Sequence, residues 1–288
     1  MSRVLDELLE LLKLEAIEEN IFRGQSQDLG FGNLFGGQVL GQSLSAASQT
    51  VDTERPVHSL HAYFLRPGDP KRGIVYQVDN LRDGGSFSTR RITAIQRGKP
   101  ILSMEASFQR IEQGFEHSDA MPEGIPRPDD LPSDSDLAHK VADKIPQHIR
   151  NNVLSEKPIE IRPVLPLNPF APEKMAPVQH VWFKASGTLP NDPMVHRYML
   201  AYASDFKLCT TAMRPHGVSF IQPNMQVASL DHAMWFHRPF RFDDWLLYTM
   251  ESPTAVGGRG LNRGRIYTRD GVLVASTTQE ALIRQREK

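Results

Sequence analysis

One cysteine in 288 residues, Cys209, leaves no partner for an internal disulfide. Its neighbours read as core, so packing is its expected role and nucleophilic chemistry is not. An excess of charge of either sign is also missing: 33 Lys and Arg against 34 Asp and Glu give a formal net charge of −1. That balance removes any whole-chain attraction to nucleic acid or an anionic membrane. No apolar run approaches the ~20 residues of a membrane span. The zinc-protease HExxH, the G-x-S-x-G elbow, the G-x-x-x-x-G-K-[ST] loop and a G-x-G-x-x-G after a strand are all missing, and with them the usual marks of those chemistries. The opening MSRVLDELLELLKLEAIEEN sets Asp6, Glu7 and Glu10 among leucines, the order of an amphipathic helix and not of a signal peptide. The closing RQREK is not a peroxisomal S-K-L address, and the cytoplasm is the expected compartment.

What the chain does have is an internal echo. SLHAYFLRP at 59–67 recurs as SLDHAMWFHRP at 229–239, and the match extends from Tyr76 to Tyr248, from Gly84-Gly85 to Gly257-Gly258 and from Gly98 to Gly271. The offset drifts only between 171 and 173 residues, which implies two homologous units in one chain. Between them, residues 116–177 hold eleven of the 21 prolines, a composition that predicts a long irregular connector with a short helix near 134–149. The expected organisation is therefore 1–115, a connector at 116–177, and 178–288.

Each unit reads as β-α-β-β-β-β. In the first, Ile21 to Gln27 suggests a strand and GQVLGQSLSAASQTV from Gly37 a helix. Gly37, Gly41 and Ser45 recur along that helix every four residues, so other backbone can approach it closely. Strand-like runs follow at 57–66, 73–82, 86–97 and 101–110, divided by Gly- and Pro-rich turns. The second unit predicts a strand at 179–186, and a helix opened by Asp192-Pro193 and running to Met213. Strands at 227–237, 245–252, 259–268 and 272–283 complete it. One long helix and five strands bury their apolar faces together only if the sheet curls around the helix, the hotdog arrangement.

Polar residues on core-facing positions mark where chemistry could lie, and they fall in the second unit alone. Asp205 interrupts an apolar helical stripe of Tyr198, Ala201, Tyr202, Leu208, Cys209 and Ala212. Gln279 occupies the inward position that Ala106 holds in the first unit. By the same alignment Ser229 lies opposite His58, His232 opposite His61, and Asp205 near Gln38. A carboxylate, a hydroxyl and an amide arising together in one repeat point to a site built from separate elements. The pairs His58/His61 and His232/His237 alternate to opposite faces of their strands, so no metal site is expected.

FGGQVLGQSL at 35–44, HSLHAYFLRPGD at 58–69, YASDF at 202–206, ASLDHAMWFHRP at 228–239, RGLNRGRIY at 259–267 and DGVLVASTTQE at 270–280 run through nearly the whole chain. With these motifs it resembles the acyl-CoA thioesterase II family, the double-hotdog thioesterases of bacteria and peroxisomes. The resemblance implies a water-orienting trio on Asp205, Ser229 and Gln279, an acyl-CoA substrate, and a homodimer or homotetramer. The chemistry so implied is direct attack of water on the thioester, with no cofactor. Gly36 and Gly37 are candidate oxyanion donors, and Arg259 and Arg263 candidate partners for coenzyme A phosphates. A non-catalytic acyl-CoA binding module is the alternative. A hotdog enoyl-CoA hydratase is disfavoured, because FKLCTTAMRPH after Asp205 lacks an N-P-x-H.

Overall fold

The structure, a computed structural model, describes residues 2–30 and 32–286. Helix α1 (Arg3–Leu12) buries Leu5, Leu8, Leu11 and Leu12, the spacing of one helical face. It ends sooner than the acidic run suggests. Glu15 to Glu18 forms an exposed edge strand, β1 (Glu15–Glu18), beside β2 (Ile21–Gly24), and charged side chains are well suited to a sheet edge.

The first repeat continues with α2 (Gly36–Ser48), β3 (Val57–Phe64), β4 (Ile74–Asp83), β5 (Phe87–Gln96) and β6 (Lys99–Gln109). The connector is less irregular than its prolines suggest. It holds α3 (Asp134–Lys140), α4 (Gln147–Leu154) and an edge strand, β7 (Ile159–Pro163), paired with β8 (Val178–Ala185). Then come α5 (Pro193–Ala203), β9 (Met225–Ser229), β10 (Asp231–Phe236), β11 (Leu246–Val256), β12 (Arg259–Thr268) and β13 (Leu273–Gln285).

Among the described residues these strands make one antiparallel sheet of thirteen, in the order β1-β2-β4-β5-β6-β3-β10-β13-β12-β11-β8-β7, with β9 on β13. The repeats meet at β3 and β10, where Tyr63 faces Asp231 and Ser59 faces Trp235. The two helices pack against each other inside the curl. Gly37 permits this: a Cβ there would sit 2.2 Å from the Tyr202 carbonyl oxygen, too close for any side chain.

Strand register corrects the sequence alignment by one residue. Ala62 faces Met104 in the first repeat and Met234 faces Thr277 in the second. The counterpart of His232 is therefore Leu60, and His61 is on the outer face. A one-residue shift exchanges the two faces of a strand. Both repeats also bulge at the same place, after Val57 in β3 and after Ser229 at the end of β9. Ser229 thus replaces Val57, not His58. The bulge divides the expected 227–237 strand in two, and the Asp231 carboxylate pins it by accepting the Glu280 N–H at 2.7 Å.

Candidate active site

Asp192 and Pro193 open α5 as expected, the Asp192 side chain accepting the Met194 N–H at 2.9 Å. The helix does not run on to Met213. It stops at Ala203, Ser204 caps it, and the chain resumes as a 3-10 helix at Cys209–His216. Lys207 takes a left-handed φ of 68°, a conformation a residue with a Cβ adopts only when its surroundings hold it there. Gln179 supplies that hold by donating to the Lys207 carbonyl at 2.7 Å. Asp205 consequently sits in a turn one residue past the cap of α5, as Thr50 does past the Gln49 cap of α2. Gln38, aligned with Asp205 by sequence, instead ties α2 to the Gln25 carbonyl at 3.0 Å.

The turn directs Asp205 toward the junction of β9 and β13. Its Oδ1 accepts from Gln279 Nε2 at 2.7 Å and from Ser229 Oγ at 3.3 Å. Asp205 is 8% exposed and Gln279 is fully buried, while Ser229 is only partly covered. Across from Asp205, α2 begins at Gly36, where a Cβ would lie 2.7 Å from Asp205 Oδ2. Gly36 and Gly37 belong to the first turn of α2, whose N–H groups have no partner within the helix. The trio and the glycines thus meet in one place, from residues far apart in sequence.

Arg259 and Arg263 do not join them. Asn262, paired with Gln279, faces inward, so the alternating positions Arg259 and Arg263 face the outer side of the sheet. Arg259 is also ion-paired with Glu280 at 2.9 Å.

Sequence reasoning passed over His232, which is 1% exposed. Its Nδ1 is 3.1 Å from Gln279 Nε2 and its Nε2 is 2.9 Å from Ser204 Oγ. Burial pushes the imidazole down to about 4, with Asp205 pulling the other way, so the ring is neutral near pH 7. The missed signal was its inward position on β10 once the register is corrected. Tyr248, its phenol pushed well up by burial, donates to the Ser204 carbonyl at 3.1 Å. Half-buried Cys209 is likewise pushed up, to about 12, by burial and then by the Asp205 charge. It is a thiol at neutral pH and a poor nucleophile.

Two helix-and-sheet repeats sharing a continuous antiparallel sheet, with one carboxylate-hydroxyl-amide cluster, define a double hotdog. A structure from Alicyclobacillus acidocaldarius described as having a hot dog fold superposes with a TM-score of 0.78 at 17% identity, covering 98% of this chain and 99% of that one. The family is given by sequence. A family model described as acyl-CoA thioesterase matches residues 149–282, and one for the acyl-CoA thioesterase N-terminal domain matches 25–109. Acyl-CoA thioesterase 2 of Haemophilus influenzae is 46% identical over 287 residues and the full length of both chains. Human acyl-coenzyme A thioesterase 8 is 40% identical, over 95% of this chain and 88% of its own. Acyl-CoA thioesterase II TesB2 from Mycobacterium marinum superposes with a TM-score of 0.79 at 44% identity, covering 97% and 99%. The chain belongs to the acyl-CoA thioesterase family, and its reaction is thioester hydrolysis.

Proposed function

We propose that the protein hydrolyses fatty acyl-CoA to free acid and coenzyme A by direct attack of a water held by Asp205, Ser229 and Gln279. The observation that carries this is the convergence of Ser229 and Gln279 on Asp205 Oδ1. Both Gln279 amide hydrogens are engaged, by Asp205 and His232, while its Oε1 has no hydrogen-bond partner among the described residues. A water donating one hydrogen to Asp205, and the other to Gln279 Oε1 once that buried oxygen is uncovered, keeps a lone pair for the thioester carbonyl. As the new C–O bond forms, Asp205 takes a proton from the water. The oxyanion collapses, the C–S bond breaks, and the proton goes to the departing thiolate. Ser229, donating to Oδ1, holds the carboxylate in place. The N–H groups of Gly36 and Gly37 are the candidate oxyanion donors, since they open a helix beside Asp205. Phe35, Phe64 and Phe206 around Gly36 and Asp205 offer apolar surface for an acyl chain.

The repeats are assigned to 1–115 and 178–288, with 116–177 as connector, on the recurrence of strand order. A cytoplasmic homodimer or homotetramer is proposed from the family resemblance and from β1 and β7 each having one unpaired side at the ends of the sheet. Thiol release from a panel of acyl-CoAs tests the reaction. Asp205→Asn should keep the fold and analogue binding but lower turnover by about 10²-fold or more. Undiminished turnover would remove Asp205 from the chemistry.

A further inference from the structure

We infer that His232 is a positioning residue that fixes which end of the Gln279 amide faces Asp205. The inference rests on Gln279 acting as proposed above. A hydrogen-bond chain sets the imidazole tautomer. Ser204 Oγ donates back to the Ala201 carbonyl at 2.9 Å, so toward His232 it is an acceptor. The ring must then carry its proton on Nε2 to donate to Ser204. That leaves Nδ1 as an acceptor 3.1 Å from Gln279 Nε2. A flipped amide would bring Oε1 against this lone pair, acceptor to acceptor.

Asp205 alone could orient the amide only while it is charged. Once it has taken a proton from water, its preference for an N–H weakens, and the neutral imidazole keeps the amide in register through the rest of the cycle. A second observation agrees. In the first repeat the corresponding pair is Leu60 facing Ala106, both buried and apolar. His232 and Gln279 therefore differ from the first repeat together, as a pair that works together would. Ser204 is itself held at its carbonyl by Tyr248, so the chain ends on a fixed point.

Two substitutions of similar polarity separate positioning from packing. His232→Asn sets its Oδ1 near the place of Nδ1 and retains an acceptor for Gln279. His232→Gln reaches toward Ser204 but leaves a methylene where Nδ1 was. His232→Leu restores the first-repeat residue and removes both bonds. kcat and KM for acyl-CoA hydrolysis are measured for each, with Gln279→Ala alongside and the thermal midpoint as a check of folding. The expected result is turnover near wild type for Asn and lowered about 10–100-fold for Gln and Leu, the range typical when a group that orients a functional side chain is lost. KM should stay within about twofold, because binding is not what the amide sets. Equal losses in Asn and Gln, or undiminished turnover in Gln, overturn the inference. If Leu does not fold, the Asn and Gln pair decides. Wild-type turnover in Gln279→Ala would instead overturn the reading of the site on which this depends.

Discussion

Gln279 is a neutral side chain whose two ends do different things, and that polarity is its use. Its nitrogen braces the carboxylate, and in the proposed mechanism its oxygen receives the water, so truncation would remove both functions. Gln279→Ala should lower kcat more than it raises KM, and steady-state kinetics would expose the error if KM moved alone. His232 carries a cost with a definite sign. Unfolded, the imidazole titrates near 6.5; folded, burial lowers it to about 4. Between those values the unfolded chain binds more protons, so stability is full above pH 6.5 and falls as the pH drops toward 4. His180 and His196, also lowered by burial, add to that slope. Thermal midpoints measured from pH 4 to 7 should rise with pH, and less steeply in His232→Asn. An identical slope in that variant would show that His232 is not buried as a neutral ring.

At the scale of elements, α5 is where sequence and structure part. Periodicity from Tyr198 to Ala212 is compatible with one helix. What breaks it is a turn held by Gln179 from β8, a contact that no local pattern carries. The strands of the two repeats are legible because alternation and Gly-Pro turns are local, and their expected bounds lie within a few residues of those observed, whereas the edge strands β1 and β7 fell in stretches read as helix and irregular connector. The echo between repeats singled out Asp205, Ser229 and Gln279, yet it misplaced the counterpart of Ser229 by one register step, since a bulge leaves little trace in a short motif, and that of Asp205 by the twelve residues between Gln38 and Thr50. It also gave no reason to look at His232, whose neighbour in the echo was another histidine on the opposite face. Arg259 and Arg263 were chosen by charge, and the same alternation that built the sheet turned them outward. The glycines opening α2 are separable by experiment. Gly37→Ala drives a methyl into backbone, the Tyr202 carbonyl at 2.2 Å, and should cost about 1–3 kcal/mol in unfolding free energy. Gly36→Ala meets the ends of the Asp205 and Phe64 side chains, which can shift, so turnover should suffer more than the denaturation midpoint. The reverse ranking would place the tight contact elsewhere.

Over the whole molecule the two repeats keep one scaffold and unequal interiors. Where the second repeat gathers its trio, the first has Ala106 and a buried arginine. Arg90 donates to Thr50 through Nε at 2.9 Å, to the Thr50 carbonyl at 2.9 Å and to Asp83 at 2.8 Å. Arg90 faces Ala106 in register as Asn262 faces Gln279, so a hydrogen-bonded cation stands beside the place that the amide takes in the second repeat. Calorimetric titration with a non-hydrolysable acyl-CoA should give one bound per chain, and Ala106→Gln should add none. Two equivalent sites would contradict this assignment.

The seam between β3 and β10 has a consequence during synthesis. The first repeat is complete when β6 leaves the ribosome, but the strand that covers β3 lies about 120 residues further on. At roughly 5–20 residues per second, β3, already paired with β6, waits on the order of ten seconds with the backbone donors and acceptors of its other edge unpaired. Through that interval the nascent chain carries an adhesive edge whose eventual partner does not yet exist. Nascent chains stalled between β6 and β10 should be the ones that recruit chaperones or stick to one another, and chains released after β13 should not.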